Sequence, residues 1–84
     1  MPERMHAVVV PDLGLPEVAI VVSVWLVPLG ARVLPGDRVV ELLAGDATVD
    51  LVAPVRGVFS QRHVLEDEQV VPGQVLGLIK SCAQ

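Results

Sequence analysis

A chain of 84 residues has room for one domain, and at this size folding removes only roughly 60–65% of the unfolded surface from water, so a regular core is required. A net charge of −4, with Lys80 the only lysine and five arginines scattered singly, excludes the basic stripe that a nucleic-acid backbone needs. The single cysteine, Cys82, excludes an intramolecular disulfide and suits a reducing compartment; with no acid or base near it in sequence it reads as a tail residue, not a nucleophile.

Nineteen valines against two aromatic residues, Trp25 and Phe59, point to strands, because β-branched side chains pack well on a pleated surface and lose rotamer freedom in helices. The opening Met1-Pro2-Glu3-Arg4-Met5-His6 has neither the charged n-region nor the cleavage site of a signal peptide, so a cytoplasmic location is expected. Ala7 to Val10 reads as a short strand stopped by Pro11. The stretch Pro11-Asp12-Leu13-Gly14-Leu15-Pro16 is a loop, since two prolines and a glycine deny it regular pairing. The apolar run from Val18 to Val27 suits a bent strand covered on both faces over part of its length. Extended to Leu29, it is broken by Ser23 and Pro28 and falls short of the ~20 residues that span a bilayer.

Pro28-Leu29-Gly30 turns the chain, and Leu34-Pro35-Gly36-Asp37 has the residues of a type II turn. Strands are expected over Val39–Leu43 and Thr48–Val52, joined through Gly45-Asp46. Gly45 supplies the positive φ that a type II′ hairpin turn needs at its first central position. That register sets Val40 opposite Leu51 and Leu42 opposite Val49 on the core face, with Glu41 opposite Asp50 on the outer one. A further strand is expected from Gly57 toward Val64, then an acidic, solvated loop at Glu66-Asp67-Glu68. A second type II turn follows at Val71-Pro72-Gly73-Gln74, then a last strand over Val75–Ile79 and a polar tail from Lys80.

Residues 33–40 align with 70–77 at an offset of thirty-seven, and the pattern sets Val27 against Val64. A repeat of this extent implies two similar half-sandwiches stacked about a pseudo-two-fold axis, neither able to bury its apolar face alone. No Pro/Ala- or Gly/Ser-rich linker flanks the repeat, so a single unit over residues 1–84 is expected, with its core from about residue 6 to 80.

Several segments in order now carry a resemblance: Val10-Pro11-Asp12-Leu13-Gly14; Val33-Leu34-Pro35-Gly36-Asp37; Ala47 through Gly57 with its Ala-Thr-Val-Asp-Leu-Val-Ala-Pro run; and Val70-Val71-Pro72-Gly73. Over essentially its whole length the chain resembles the biotinyl/lipoyl carrier-domain family. It is more similar to the lipoyl domains of 2-oxo acid dehydrogenase acyltransferases than to biotin carriers, which favour a Met-Lys-Met tip. The resemblance implies an all-β fold, a flattened barrel or sandwich of two four-stranded antiparallel sheets. It also implies a swinging lysine at the hairpin tip, set between an acid and an alanine. Here Gly45-Asp46-Ala47 stands at that place, so Asp46 occupies the lysine's position. A carboxylate cannot form the ε-amide that lipoate or biotin requires.

Other groups suggest no chemistry. The Glu41–Asp50 pair reads as solvated surface, not general acid/base machinery, and Asp46 itself as turn chemistry. His6, His63 and Cys82 lack metal-ligand spacing, Trp25 reads as core, and no phosphate loop, catalytic triad or paired-cysteine motif is present. The expectation is a non-enzymatic lipoyl-like domain with no cofactor and no metal. It would act as a structural or interaction module on another protein, such as a 2-oxo acid dehydrogenase component, without nucleic-acid binding or membrane insertion. The alternatives are a true lipoyl carrier, with lipoate as its cofactor, and a structural module of a membrane-fusion or transport protein.

Overall fold

The computed structural model describes residues 3–82, the side chain of Cys82 excepted. Met1 and Pro2, at the head of the segment read for a signal peptide, and the thiol read as a tail group lie outside the described residues. Eight strands follow in order: β1 (Glu3–Val9), β2 (Ile20–Trp25), β3 (Arg32–Val33), β4 (Arg38–Ala44), β5 (Ala47–Val52), β6 (Gly57–Arg62), β7 (Gln69–Val70) and β8 (Val75–Cys82). They form two antiparallel four-stranded sheets, ordered β1-β8-β6-β3 and β5-β4-β2-β7, and the body measures 44 × 21 × 20 Å. This is the expected flattened all-β sandwich; it is not a closed barrel.

The repeat is visible in the backbone hydrogen bonds. Gly36 N–H donates to the Ala53 carbonyl (3.0 Å) and Ala53 N–H to the Asp37 carbonyl (2.8 Å). In the other half Gly73 N–H donates to the Val10 carbonyl (2.8 Å) and Val10 N–H to the Gln74 carbonyl (3.0 Å). Both Pro-Gly turns are type II as read, with φ of 92° at Gly36 and 87° at Gly73. Each is closed the same way: Leu34 N–H donates to the Asp37 carboxylate (2.8 Å) and Val71 N–H to the Gln74 side-chain carbonyl (3.1 Å).

The halves are not stacked half-sandwiches, however. Strands β1–β4 and β5–β8 are the two units, and each sheet takes its two inner strands from one unit and its two edges from the other. The units are therefore interlocked, and each completes the sheet of its partner. The core follows the same symmetry: Val22 and Phe59, Val33 and Val70, Val39 and Leu76, and Leu42 and Ile79 are buried pairs, all at the offset of thirty-seven. Where one member is larger, its neighbour is smaller. Phe59 stands where the first unit has Val22, and Gly77 stands where it has Val40. A Cβ on Gly77 would meet the Phe59 ring at 2.8 Å.

Several boundaries differ from the sequence reading. Strand β1 begins at Glu3, not Ala7, and β8 continues to Cys82, so Lys80 lies inside the last strand and not in a tail beyond it. These polar ends are strands because they pair with each other, Glu3 opposite Cys82 and Met5 opposite Lys80. The apolar run becomes regular only at Ile20, and a bulge between Val22 and Val24 supplies its bend. Strand β6 stops at Arg62, short of Val64. The two-residue strands β3 and β7 carry no periodicity and were not anticipated. The acidic loop is exposed but fixed: Asp67 N–H donates to the Val22 carbonyl (2.7 Å) and Val22 N–H to the Glu68 carbonyl (3.0 Å).

Candidate functional site

The β4–β5 hairpin has the register read from its sequence: Val40 opposite Leu51, Glu41 opposite Asp50 and Leu42 opposite Val49, closing on Ala44 opposite Ala47. Leu42 and Val40 are fully buried beneath it, which fixes the register, since a one-residue slip would turn both toward water. Gly45 has φ of 60° and Asp46 is not in the left-handed region, the pattern of a type II′ turn. Gly45, Asp46, Ala47 and Thr48 are all exposed, so the tip stands in solvent. A Cβ built on Gly45 would lie 3.2 Å from Val18 Cγ1, so the connection between β1 and β2 packs beside the turn.

Chemically the tip offers a carboxylate and no amine. An amide to lipoate or biotin needs a nucleophilic amine on a long stem, so the residues of this turn do not fit either group. The chain's one lysine, Lys80, sits within β8 opposite Met5 and Val58, with Nζ 3.1 Å from Glu3 Oε2 and its side chain 43% exposed. A residue paired on both sides inside a sheet is held by neighbouring strands, unlike one at a hairpin tip.

The family model described as "Biotin-requiring enzyme" matches residues 6–79. The chain belongs to the biotinyl/lipoyl attachment-domain family. The match runs from β1 into β8 and so covers the hairpin and both Pro-Gly turns. Domains of this family are carriers and do not themselves catalyse reactions. A search of curated proteins finds no match to this chain.

The remaining candidate groups of this biotinyl/lipoyl-family domain have structural surroundings. Glu41 and Asp50 face each other on the outer side of the hairpin, and Arg38 Nη1 lies 3.2 Å from Asp50 Oδ2, easing the like-charge pair. Trp25 packs against the core: its ring stacks on Phe59 with centroids 5.1 Å apart at 28°, and its indole N–H donates to the Val64 carbonyl at 3.1 Å. Its backbone N–H donates to Glu66 Oε2 (2.9 Å), a link across 41 residues that no local pattern announces. His6 Nε2 lies 2.9 Å from Ser81 Oγ, and His63 Nε2 lies 2.9 Å from Gln61 Oε1. Among the described residues no three His, Cys, Asp or Glu side chains converge as a metal site, and no helix is long and apolar enough to cross a membrane.

What the sequence reading missed is the position of the loop after β1. In sequence it reads only as an irregular connection, yet Asp12 through Ile20 form one wall of a groove whose other wall is Gln69–Pro72. The available signal was Leu13 and Leu15, two apolar side chains in a loop fixed by Pro11 and Pro16.

Proposed function

We propose that this domain keeps the scaffold of a lipoyl carrier without carrying a covalent cofactor, and that it works as an interaction or structural module for another protein. The observation that carries the reading is Asp46 at the exposed end of the β4–β5 hairpin, with Gly45 before it and Ala47 after it. The family's lysine belongs there, between an acid and an alanine. Lys80 is a poor substitute, because it lies within a strand and is paired with Glu3. A component of a 2-oxo acid dehydrogenase complex is the partner class that the resemblance to acyltransferase lipoyl domains favours, and a cytoplasmic setting accords with the one cysteine.

The test is the intact mass of the chain produced in a host that both lipoylates and biotinylates its own proteins. An unmodified mass is expected. A gain corresponding to either group would return the domain to the carriers and overturn the reading.

A further inference from the structure

The groove between the β1–β2 connection and the turn after β7 has a volume of about 590 Å³, within the size range of ligand sites. Its floor is Ile20 and Val70, both buried and paired across β2 and β7. Leu13, Leu15 and Val18 rise on one side, and Val71 and Pro72 on the other. The groove is open: Leu15 is 48% and Val71 58% exposed. Small-molecule sites enclose most of their ligand, roughly 70–90% of its surface, whereas an open apolar trough suits side chains projecting from a larger partner.

The charge around it has one sign. Among the described residues, Asp12 and Glu17 are the only ionisable ones lining the groove. Glu68 precedes its second wall, and Asp46 adjoins Gly45, the residue that Val18 packs against. None of the chain's six cationic residues lines it. Asp12 Oδ1 accepts a hydrogen bond from Gly14 N–H (2.9 Å), which holds that exposed carboxylate at the rim. Such a rim repels phosphates and anionic surfaces and attracts lysine and arginine.

We propose that this groove docks a protein segment that inserts apolar side chains and carries lysine or arginine beside them. The assignment extends the interaction-module reading and names the chemistry of the partner.

The experiment follows the amide resonances of the isotope-labelled full chain during titration with a synthetic peptide of alternating leucine and lysine. A matched peptide of alternating leucine and glutamate is the control. Saturable shifts are expected at residues 13–20 and 69–71 with the lysine peptide, and binding about tenfold weaker or absent with the glutamate peptide. Leu15→Ser should weaken binding about tenfold, and Asp12→Asn with Glu17→Gln about threefold, with less salt dependence. Both variants alter exposed side chains, and a dispersed amide spectrum verifies that each is folded. Shifts spread over the outer faces of the sheets, an equal response to both peptides, binding indifferent to these variants, or no saturable binding would overturn the proposal. The intact mass of the same sample separates the two readings. A lipoylated or biotinylated chain that still binds the peptide defeats only the cofactor-free reading, and an unmodified chain that fails to bind defeats only the groove.

Discussion

Gly30 and Asp67 occupy the same place in the two halves of the molecule, thirty-seven residues apart, and both are in the left-handed backbone region with φ of 89° and 72°. Asp67 is the one non-glycine with positive φ among the described residues. The turns around them match bond for bond. Ala31 N–H donates to the Pro28 carbonyl (3.1 Å) and Glu68 N–H to the Leu65 carbonyl (3.3 Å). One half meets the demand with glycine and the other with aspartate, a residue type that tolerates this region better than most.

Gly30→Ala is therefore expected to cost roughly 1–2 kcal/mol through the backbone alone, since no atom lies within 4 Å of the added Cβ. Asp67→Gly should change stability by less than about 1 kcal/mol, because relief of the left-handed strain is opposed by greater freedom of the unfolded chain. Urea unfolding midpoints of both variants check the pair, and a larger loss for Asp67→Gly than for Gly30→Ala would reverse the account.

Gly77 presents a different constraint. A Cβ there would lie 2.5 Å from the Gln61 carbonyl oxygen and 2.8 Å from Phe59 Cε1. Gly77→Ala is expected to cost about 2–3 kcal/mol, as overpacking against a fixed backbone does. Adding Phe59→Leu should give no rescue, because the nearest obstacle is a main-chain oxygen. The urea midpoint of the double variant decides this, and recovery toward that of Phe59→Leu alone would show that the ring was the only obstacle.

The Arg38–Asp50 pair is a weak contributor by comparison. The Arg38 side chain is 69% exposed, so solvent screens the contact. Arg38→Ala should lower stability by no more than about 1 kcal/mol, and less at 1 M salt. A loss above that, measured by urea unfolding at two salt concentrations, would mean that Arg38 does more than ease the repulsion between Glu41 and Asp50.

Much of this fold was legible in the sequence because its signals are local. Pro35-Gly36 and Pro72-Gly73 set their own dihedral angles, and Gly45-Asp46 between alternating arms specifies a two-residue turn. The ends of the sheet were not legible. Glu3 and Arg4 become strand by pairing with Cys82 and Ser81 across the whole chain, and Lys80 by lying between Met5 and Val58; nothing in their own composition asks for it. Strands β3 and β7 are two residues long and likewise owe their existence to β6 and β2. At the site, the residues and register of the hairpin could be read directly. The packing of Val18 beside Gly45, and with it the groove along the β1–β2 connection, depends on tertiary structure alone.

If the scaffold is still that of a carrier, the tip alone should decide modification. Changing Gly45→Asp together with Asp46→Lys restores an amine between an acid and Ala47. The double variant is expected to accept lipoate from a lipoate ligase, read as a gain in intact mass. A folded variant that remains unmodified would indicate that the surface read by the ligase has diverged along with the tip.

In a cofactor-free domain no amine of this chain serves as the attachment point. The most direct test is peptide mapping by mass spectrometry of the native chain after exposure to lipoate ligase and to biotin ligase with their substrates. Lys80 and every other residue are expected to be unmodified. A lipoyl or biotinyl group on Lys80 would contradict the account.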